Sequence, residues 1–408
     1  MAGRERRMDP QEIFTALLTP AGLADPYPHY AALHDLGPVL VAGPGFVLVP
    51  GYAAANAVLR DPAFAVDDAA RMERMNPARR EHSSPDGGDL LTLNDPDHAR
   101  IRTLMAGEFT HRRVARLAPA VTRLTDGLLD AMAGAGAAGA AVDFMDEFAF
   151  ALPVAVICEL LGVPASARDM LRPLARDLTA TMEPLVDEAA ARRGDRAAAR
   201  IGEILADLAR ERRSAPADDL ISRLVAVTGP NPGLLSPAEL IQNLILLLVA
   251  GFETTTNLLG NGLAIVLADP AVGRDLRSGG LDPAAFVEEV LRYDPPVQLT
   301  SRHRTSAGAI GGIGVDEPDE VILMLGAANR DPARFADPDR FWPGRPDQGP
   351  LSFGAGPHFC LGAALARLEG AIALPRLLRR FPGLAPAAEA ERRPGLTFRG
   401  LEHLPVRL

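Results

Sequence analysis

Cys360 is the residue best placed to do chemistry, because it falls where a Gly- and Pro-rich loop, Leu351 to Phe359, meets a long amphipathic run. At a loop-to-helix junction, free amide donors and the positive end of the helix dipole stabilise a sulfur anion. They lower the thiol pKa and prepare the sulfur as a metal ligand. Gly354, Gly356 and Gly362 carry no Cβ, so backbone and a flat ligand can approach closely there, and Phe353 is placed to shield the sulfur. A lone Cys is more often a small buried hydrophobe. That bland reading is kept for Cys158, which sits in the apolar run Leu152 to Gly162 with no polar constellation around it.

A second set of polar groups interrupts an apolar helix. Ser236, Pro237 and Glu239 combine capping-box spacing with proline in the first turn, so a helix opens at Ser236. Its apolar pattern continues to about Asp269, roughly 30 residues or about 45 Å, enough to cross a domain. Within it the run Leu244 to Ala250 gives way to Gly251, Glu253, Thr254, Thr255 and Thr256. Propensity and burial both disfavour such groups. They mark either a functional site or a kink whose threonine hydroxyls bond back to carbonyls one turn earlier.

Two further sets carry charge. Glu289 and Arg292 stand three apart on one helical face, where an exposed pair would contribute at most about 1 kcal/mol. Asn94 or Asp95 can cap a helix with Pro96 in its first turn, which brings His98 and Arg102 to one side as two donors. Taken alone, the Glu289 and Arg292 pair reads more readily as a solvent-exposed ion pair, and His98 and Arg102 each have a solvated surface residue as the rival reading.

Phe353, Gly354, Gly356, His358, Cys360 and Gly362 reproduce the pattern Phe-Gly-x-Gly-x-His-x-Cys-x-Gly. On it the chain resembles the cytochrome P450 superfamily, in its soluble bacterial, ferredoxin-dependent class. The resemblance covers essentially the full chain, including Asn329 to Pro332 and Asp337 to Phe341, and departs at Asp316 to Asp319, where relatives usually carry a Pro-Gly-type turn. It implies heme b (iron protoporphyrin IX) with Cys360 as axial ligand to the iron, and O2 as co-substrate. By the same match Phe353, Gly354 and Gly362 lie at the heme, and His98, Arg102, Arg302 and His358 hold its propionates. Arg304, on the same strand face as Arg302, is the competitor for that role.

The match also makes Ala250 and Gly251 part of an oxygen groove, with Thr254 the alcohol and Glu253 the acid of a proton relay, and Thr255 and Thr256 packing residues. Glu289 and Arg292 become a buried structural pair, with Glu288 the lesser partner. Substrate is expected at Leu90, Leu91, Leu246, Val249, Ala250, Val297, Leu299, Thr300, Gly400 and Leu401. The implied reaction inserts one oxygen atom into an apolar small molecule, by hydroxylation or epoxidation. Such enzymes often decorate polyketides, peptides or terpenes, as in antibiotic biosynthesis. Rival readings are peroxide-driven oxidation, an oxygen-independent rearrangement, a non-catalytic heme sensor, and a cysteine hydrolase, which fits badly because nothing orients His358 as a base.

The elements that must position these groups are mostly helical. Arg112 to Arg213 is rich in Ala, Leu and Arg with breaks at Gly162 to Pro164 and Ser214 to Pro216, which reads as successive helices. Strand-like pieces lie at Val39 to Val49, Ala309 to Leu325 and Leu396 to Leu408, the first two as hairpins. Ala131 to Val142 reads as a small-residue loop or frayed helix. The expected fold is mainly α with a small β region, a long central helix crossing over the heme, and a single heme domain over 1–408.

Composition agrees: 48% hydrophobic and 23% charged residues is the ordinary globular balance. All 42 basic residues are Arg, and a net charge of -10 gives no basic field for nucleic acid. The start is basic but lacks an apolar core, and the run Leu244 to Phe252 is short for a bilayer, so a cytoplasmic location is expected; the protein is also expected to be a monomer. No flavin or iron-sulfur segment is visible, so electrons from NAD(P)H must come through a separate ferredoxin and ferredoxin reductase. Arg112, Arg113 and Arg116 are a candidate docking patch, with a solvated helix face as the rival reading.

Overall fold

The computed structural model describes residues 8–67, 71, 88–183, 186–228, 234–317 and 319–408. The start of the basic leader and Pro318 of the departing turn lie outside the described residues. In chain order the first elements are α1 (Pro10–Leu17), α2 (Pro20–Ala24), α3 (Tyr27–Leu36), β1 (Leu40–Gly43), β2 (Phe46–Val49), α4 (Tyr52–Arg60) and β3 (Phe64–Ala65). A helical series follows: α5 (Asp97–Ala106), α6 (His111–Ala115), α7 (Ala118–Ala135), β4 (Val142–Asp143), α8 (Ala151–Leu161), α9 (Arg168–Ala180), α10 (Glu188–Ser214) and α11 (Leu220–Thr228). Next come α12 (Pro237–Ala268), α13 (Pro270–Ser278), α14 (Pro283–Tyr293), β5 (Thr300–Arg304), β6 (Gly308–Ile310), β7 (Ile313–Val315), β8 (Glu320–Leu323) and α15 (Leu325–Ala328). The chain ends with α16 (Ala363–Arg380), β9 (Ala385–Pro386), β10 (Glu391–Arg392), β11 (Leu401–His403) and β12 (Pro405–Arg407).

These elements divide between two compact units. The first takes the chain up to Val66, Leu291–Phe359 and Pro394–Arg399. Its five-stranded sheet has the order β1-β2-β8-β5-β3, with β2 and β8 parallel and the other pairs antiparallel. The expected hairpin at Val39 to Val49 is present. The one expected over Ala309 to Leu325 is shorter: β6 and β7 close on Gly311 and Gly312, both at positive φ, the two-residue turn that matches strand twist. β8 is buried along its whole length and takes an inner position in the large sheet instead. The departing turn before it is closed by Asp319, whose carboxylate accepts from Asp316 N at 2.7 Å.

The second unit holds Asp67–Val290, Cys360–Arg393 and Gly400–Leu408. Its spine is α12, which opens with the expected capping box: Ser236 Oγ accepts from Glu239 N at 3.1 Å, and Glu239 Oε2 accepts from Ser236 N at 2.7 Å. The helix runs for 32 residues and packs against α8, α10 and α16. By length and composition it could cross a membrane, yet 50% of its most apolar window is buried inside the unit. Asn243, Glu253, Asn257 and Asn261 are also buried in it, as suits a core helix. The stretch Leu396 to Leu408 supplies β11 and β12, which join separate small sheets with β10 and with β4 and β9.

Candidate active site

The first unit carries the glycine loop that leads to the cysteine. Gly356 sits at positive φ, and a Cβ there would meet Leu59 O at 2.2 Å, so only glycine lets the loop lie against the end of α4. Phe353 and Phe359 meet edge to face at 6.4 Å, and Gly354 and His358 are half-buried. Asn329 organises the approach: its Oδ1 accepts from Leu351 N at 2.7 Å and its Nδ2 donates to Ser352 Oγ at 2.8 Å. Arg292, fully buried, donates to the carbonyls of Asn329, Pro338 and Arg340 at 2.8–3.0 Å. Arg302 is the buried one of the two candidate strand arginines. Arg304 instead lies over the Phe64 ring and donates to Ser306 O.

In the second unit Cys360 precedes α16, whose N-cap is Gly362. The backbone N–H groups of Gly362 and Ala363 favour the thiolate, and so do the Arg102 and Arg367 guanidinium charges. The low thiol pKa expected from the sequence is nonetheless overturned, because burial of the sulfur outweighs these groups and pushes the thiol up. A bound metal cation takes the proton's place and removes that penalty. Cys158 behaves as read: it is buried in α8 and pushed up to about 11, chiefly by burial.

His98 and Arg102 stand on α5, which Arg100 ties to the start of α12 through Glu239 at 2.5 Å and Leu234 O at 2.8 Å. His98 is buried, with Nδ1 3.4 Å from Asp95 Oδ1. Burial, and then the Arg102 charge, push its pKa down. Burial likewise lowers Arg102, while the Cys360 sulfur opposes the shift. A Cβ at Gly362 would meet no protein atom within 4 Å, so packing within the protein does not explain that glycine. A thiol with two amides and two guanidinium charges, a half-buried Arg102 beside a buried His98, and an open glycine face suit an iron porphyrin with two acidic arms.

On α12 the less buried residues form a line. Ala250 is exposed in mid-helix, and Leu246 and Thr254 are half-buried one turn to either side. Thr254 Oγ1 donates to Ala250 O at 3.0 Å, the back-bond that a kink would also give. Glu253 is only 3% exposed and is held by the Arg393 guanidinium and by Asn257 Nδ2 at 3.3 Å. The space left by Gly251 admits Ile157 of α8, whose atoms would lie 2.8 Å from a Cβ. Its missing side chain therefore serves helix packing, where the resemblance had implied part of an oxygen groove. Thr255 and Thr256 are buried, as expected of packing residues.

Several expected substrate contacts lie elsewhere. Val249 is buried. Gly400 lies so close to Asn257 that a Cβ would sit 2.0 Å from its Oδ1, and Leu401 lines a small cavity with Glu253 and Arg393. Both therefore face the Glu253 side of α12, about 100° from the Thr254 line. Leu299 packs in the core around α1 and α3, while Val297 and Thr300 are half-buried. Leu90 is buried and Leu91 is 47% exposed. Glu289 is fully buried in α14, and Glu288 is taken by Arg367.

Sequence reasoning missed Arg393, which is 140 residues from Glu253 and carries no local signal. It also missed Asn257, whose spacing of four from Glu253 was readable, and Glu369, a fully buried acid in α16.

Comparison with known proteins identifies the family. Residues 284–394 match the family model described as Cytochrome P450. Cytochrome P450 107B1 of Saccharopolyspora erythraea is 42% identical over 371 residues, covering 88% of each chain. The 6-deoxyerythronolide B hydroxylase of the same organism is 38% identical, covering 94% of this chain and 96% of its own. The ligand-free structure of CYP164A2 from Mycobacterium smegmatis superposes with a TM-score of 0.87 at 36% identity, over 98% of this chain and 100% of that one; its econazole-bound structure gives 0.86. The chain belongs to the cytochrome P450 family and is a heme-thiolate monooxygenase.

Proposed function

We propose that residues 1–408 act as one heme domain that inserts an oxygen atom into an apolar small molecule of secondary metabolism, with Cys360 as the residue that would hold the heme iron. The observation that carries this reading is the Cys360 thiol at the head of α16, with the Gly362 and Ala363 amides and the Arg102 and Arg367 charges all favouring its anion. The heme, when bound, supplies dioxygen binding and O–O cleavage, and the thiolate's electron density favours that cleavage. By the family match, His98, Arg102, Arg302 and His358 would hold its propionates, and Phe353, Gly354 and Gly362 would lie at the bound heme.

Thr254 is the proton donor on the open face of α12, next to Ala250. Glu253, whose carboxylate is gripped by Arg393 and Asn257, is the acid of the relay that returns a proton to Thr254. Leu91, Leu246, Val297 and Thr300 are the expected substrate contacts, and the kinship with a 6-deoxyerythronolide B hydroxylase supports a polyketide-like ligand. Electrons come from NAD(P)H through a ferredoxin and its reductase, in the cytoplasm, with the enzyme a monomer. Reconstitution tests the scheme. Turnover of an apolar macrolactone with ferredoxin, reductase, NADPH and oxygen-18 gas should place labelled oxygen in the product, whereas turnover on peroxide alone at the same rate would contradict it.

A further inference from the structure

Asn243 is fully buried in the apolar first half of α12, where an amide is costly unless every polar atom is satisfied. Its side chain grips a loop on both sides of one residue: Oδ1 accepts from Leu90 N at 3.0 Å, and Nδ2 donates to Gly88 O at 3.1 Å. Nδ2 also donates to Glu239 O, one turn back on its own helix, at 2.8 Å. A carboxamide supplies the donor and the acceptor of this two-point grip from two adjacent atoms.

The gripped loop, Gly88 to Leu93, is a closed knot. Asp89 Oδ1 accepts from Leu91 N at 2.9 Å and from Thr92 N and Thr92 Oγ1 at 3.1 Å. A Cβ on Gly88 would meet the Leu93 side chain at 2.4 Å, so the knot closes tightly on itself. It therefore moves as one piece, and Asn243 is its attachment to α12.

Asn243, Ala250 and Thr254 are 7 and 11 residues apart, which brings them within about 20° of one line on the helix. Along that line Asn243 stands about 10 Å from Ala250 and about 16 Å from Thr254. Leu91, an exposed large apolar side chain of the knot, is thus held at the end of the face that bears the oxygen-side residues. We infer that Asn243 is a specificity-determining positioning residue: it pins the Gly88–Leu93 knot at a fixed distance from Ala250 and Thr254, and so sets the bulk of ligand the chamber holds. The inference rests on the proposed reading of that face as the substrate side.

The test uses the holoenzyme with two nitrogen ligands that differ in size, one-ring imidazole and bulky econazole. Asn243→Leu, near-isosteric and unable to grip, should weaken econazole about tenfold while imidazole stays within about twofold. Asn243→Ala removes both the acceptor for Leu90 N and the donor to Gly88 O without added apolar bulk, and guards against a folding failure of the first variant. Both variants should also speed hydrogen exchange at the Leu90 amide. Unchanged econazole affinity, or equal loss for both ligands, would overturn the inference, and so would unaltered exchange at Leu90. The exchange readout does not depend on the heme, so a wild-type protein without a thiolate-type spectrum would sink the underlying reading instead.

Discussion

Thr254 and Glu253 are adjacent in sequence but point about 100° apart, and the structure treats them differently. Thr254 lies on the open line of α12, while Glu253 is clamped by Arg393. Thr254→Ala should therefore keep the heme and divert reducing equivalents to peroxide. The ratio of product to NADPH consumed checks this, and fully coupled turnover would remove Thr254 from its role. Arg393→Met strands a buried carboxylate and should cost about 3 kcal/mol of stability, because an uncompensated buried charge is costly. Glu253→Gln in the same chain should recover most of the loss, as read by urea unfolding. At this scale the sequence was legible where chemistry is local. The Cys360 signature and the Thr254 cluster could be read directly, whereas Arg393 and the turn of Leu401 toward Glu253 depend on chain segments brought together only by folding.

At the scale of elements, α12 was legible from its cap and its apolar run, because both are local signals. The β8 strand was misjudged, since a fully buried strand and a hairpin arm look alike until partners are known. Ser236→Ala removes one half of the capping box and should cost about 1 kcal/mol, measured by thermal or urea unfolding. In α16, burial holds the Glu369 carboxyl well above its usual range near 4.5. The folded chain thus binds that proton more tightly than the unfolded chain. Its contribution is complete below the unfolded pKa and is lost as pH rises toward the folded one. Glu369→Gln should consequently flatten the decline of stability above about pH 5. Parallel pH curves for the two proteins would show that Glu369 does not carry a raised pKa.

At the scale of the whole molecule, a net charge of -10 coexists with exposed Arg112 and Arg116 on and just after α6. Arg113 beside them is partly engaged by Glu108 at 3.2 Å. If this face meets an acidic ferredoxin, Arg112→Glu with Arg116→Glu should slow reduction about tenfold at low salt and little at high salt. Electron-transfer rates that ignore both the substitutions and ionic strength would assign docking to another surface. The central claim is the thiolate itself, and the most direct measurement is the absorption spectrum of the purified protein after reduction and carbon monoxide addition. A thiolate-ligated heme gives a red-shifted band, which Cys360→His should convert to a histidine-type spectrum. A wild-type protein without heme, or with the histidine-type spectrum already, would contradict the account.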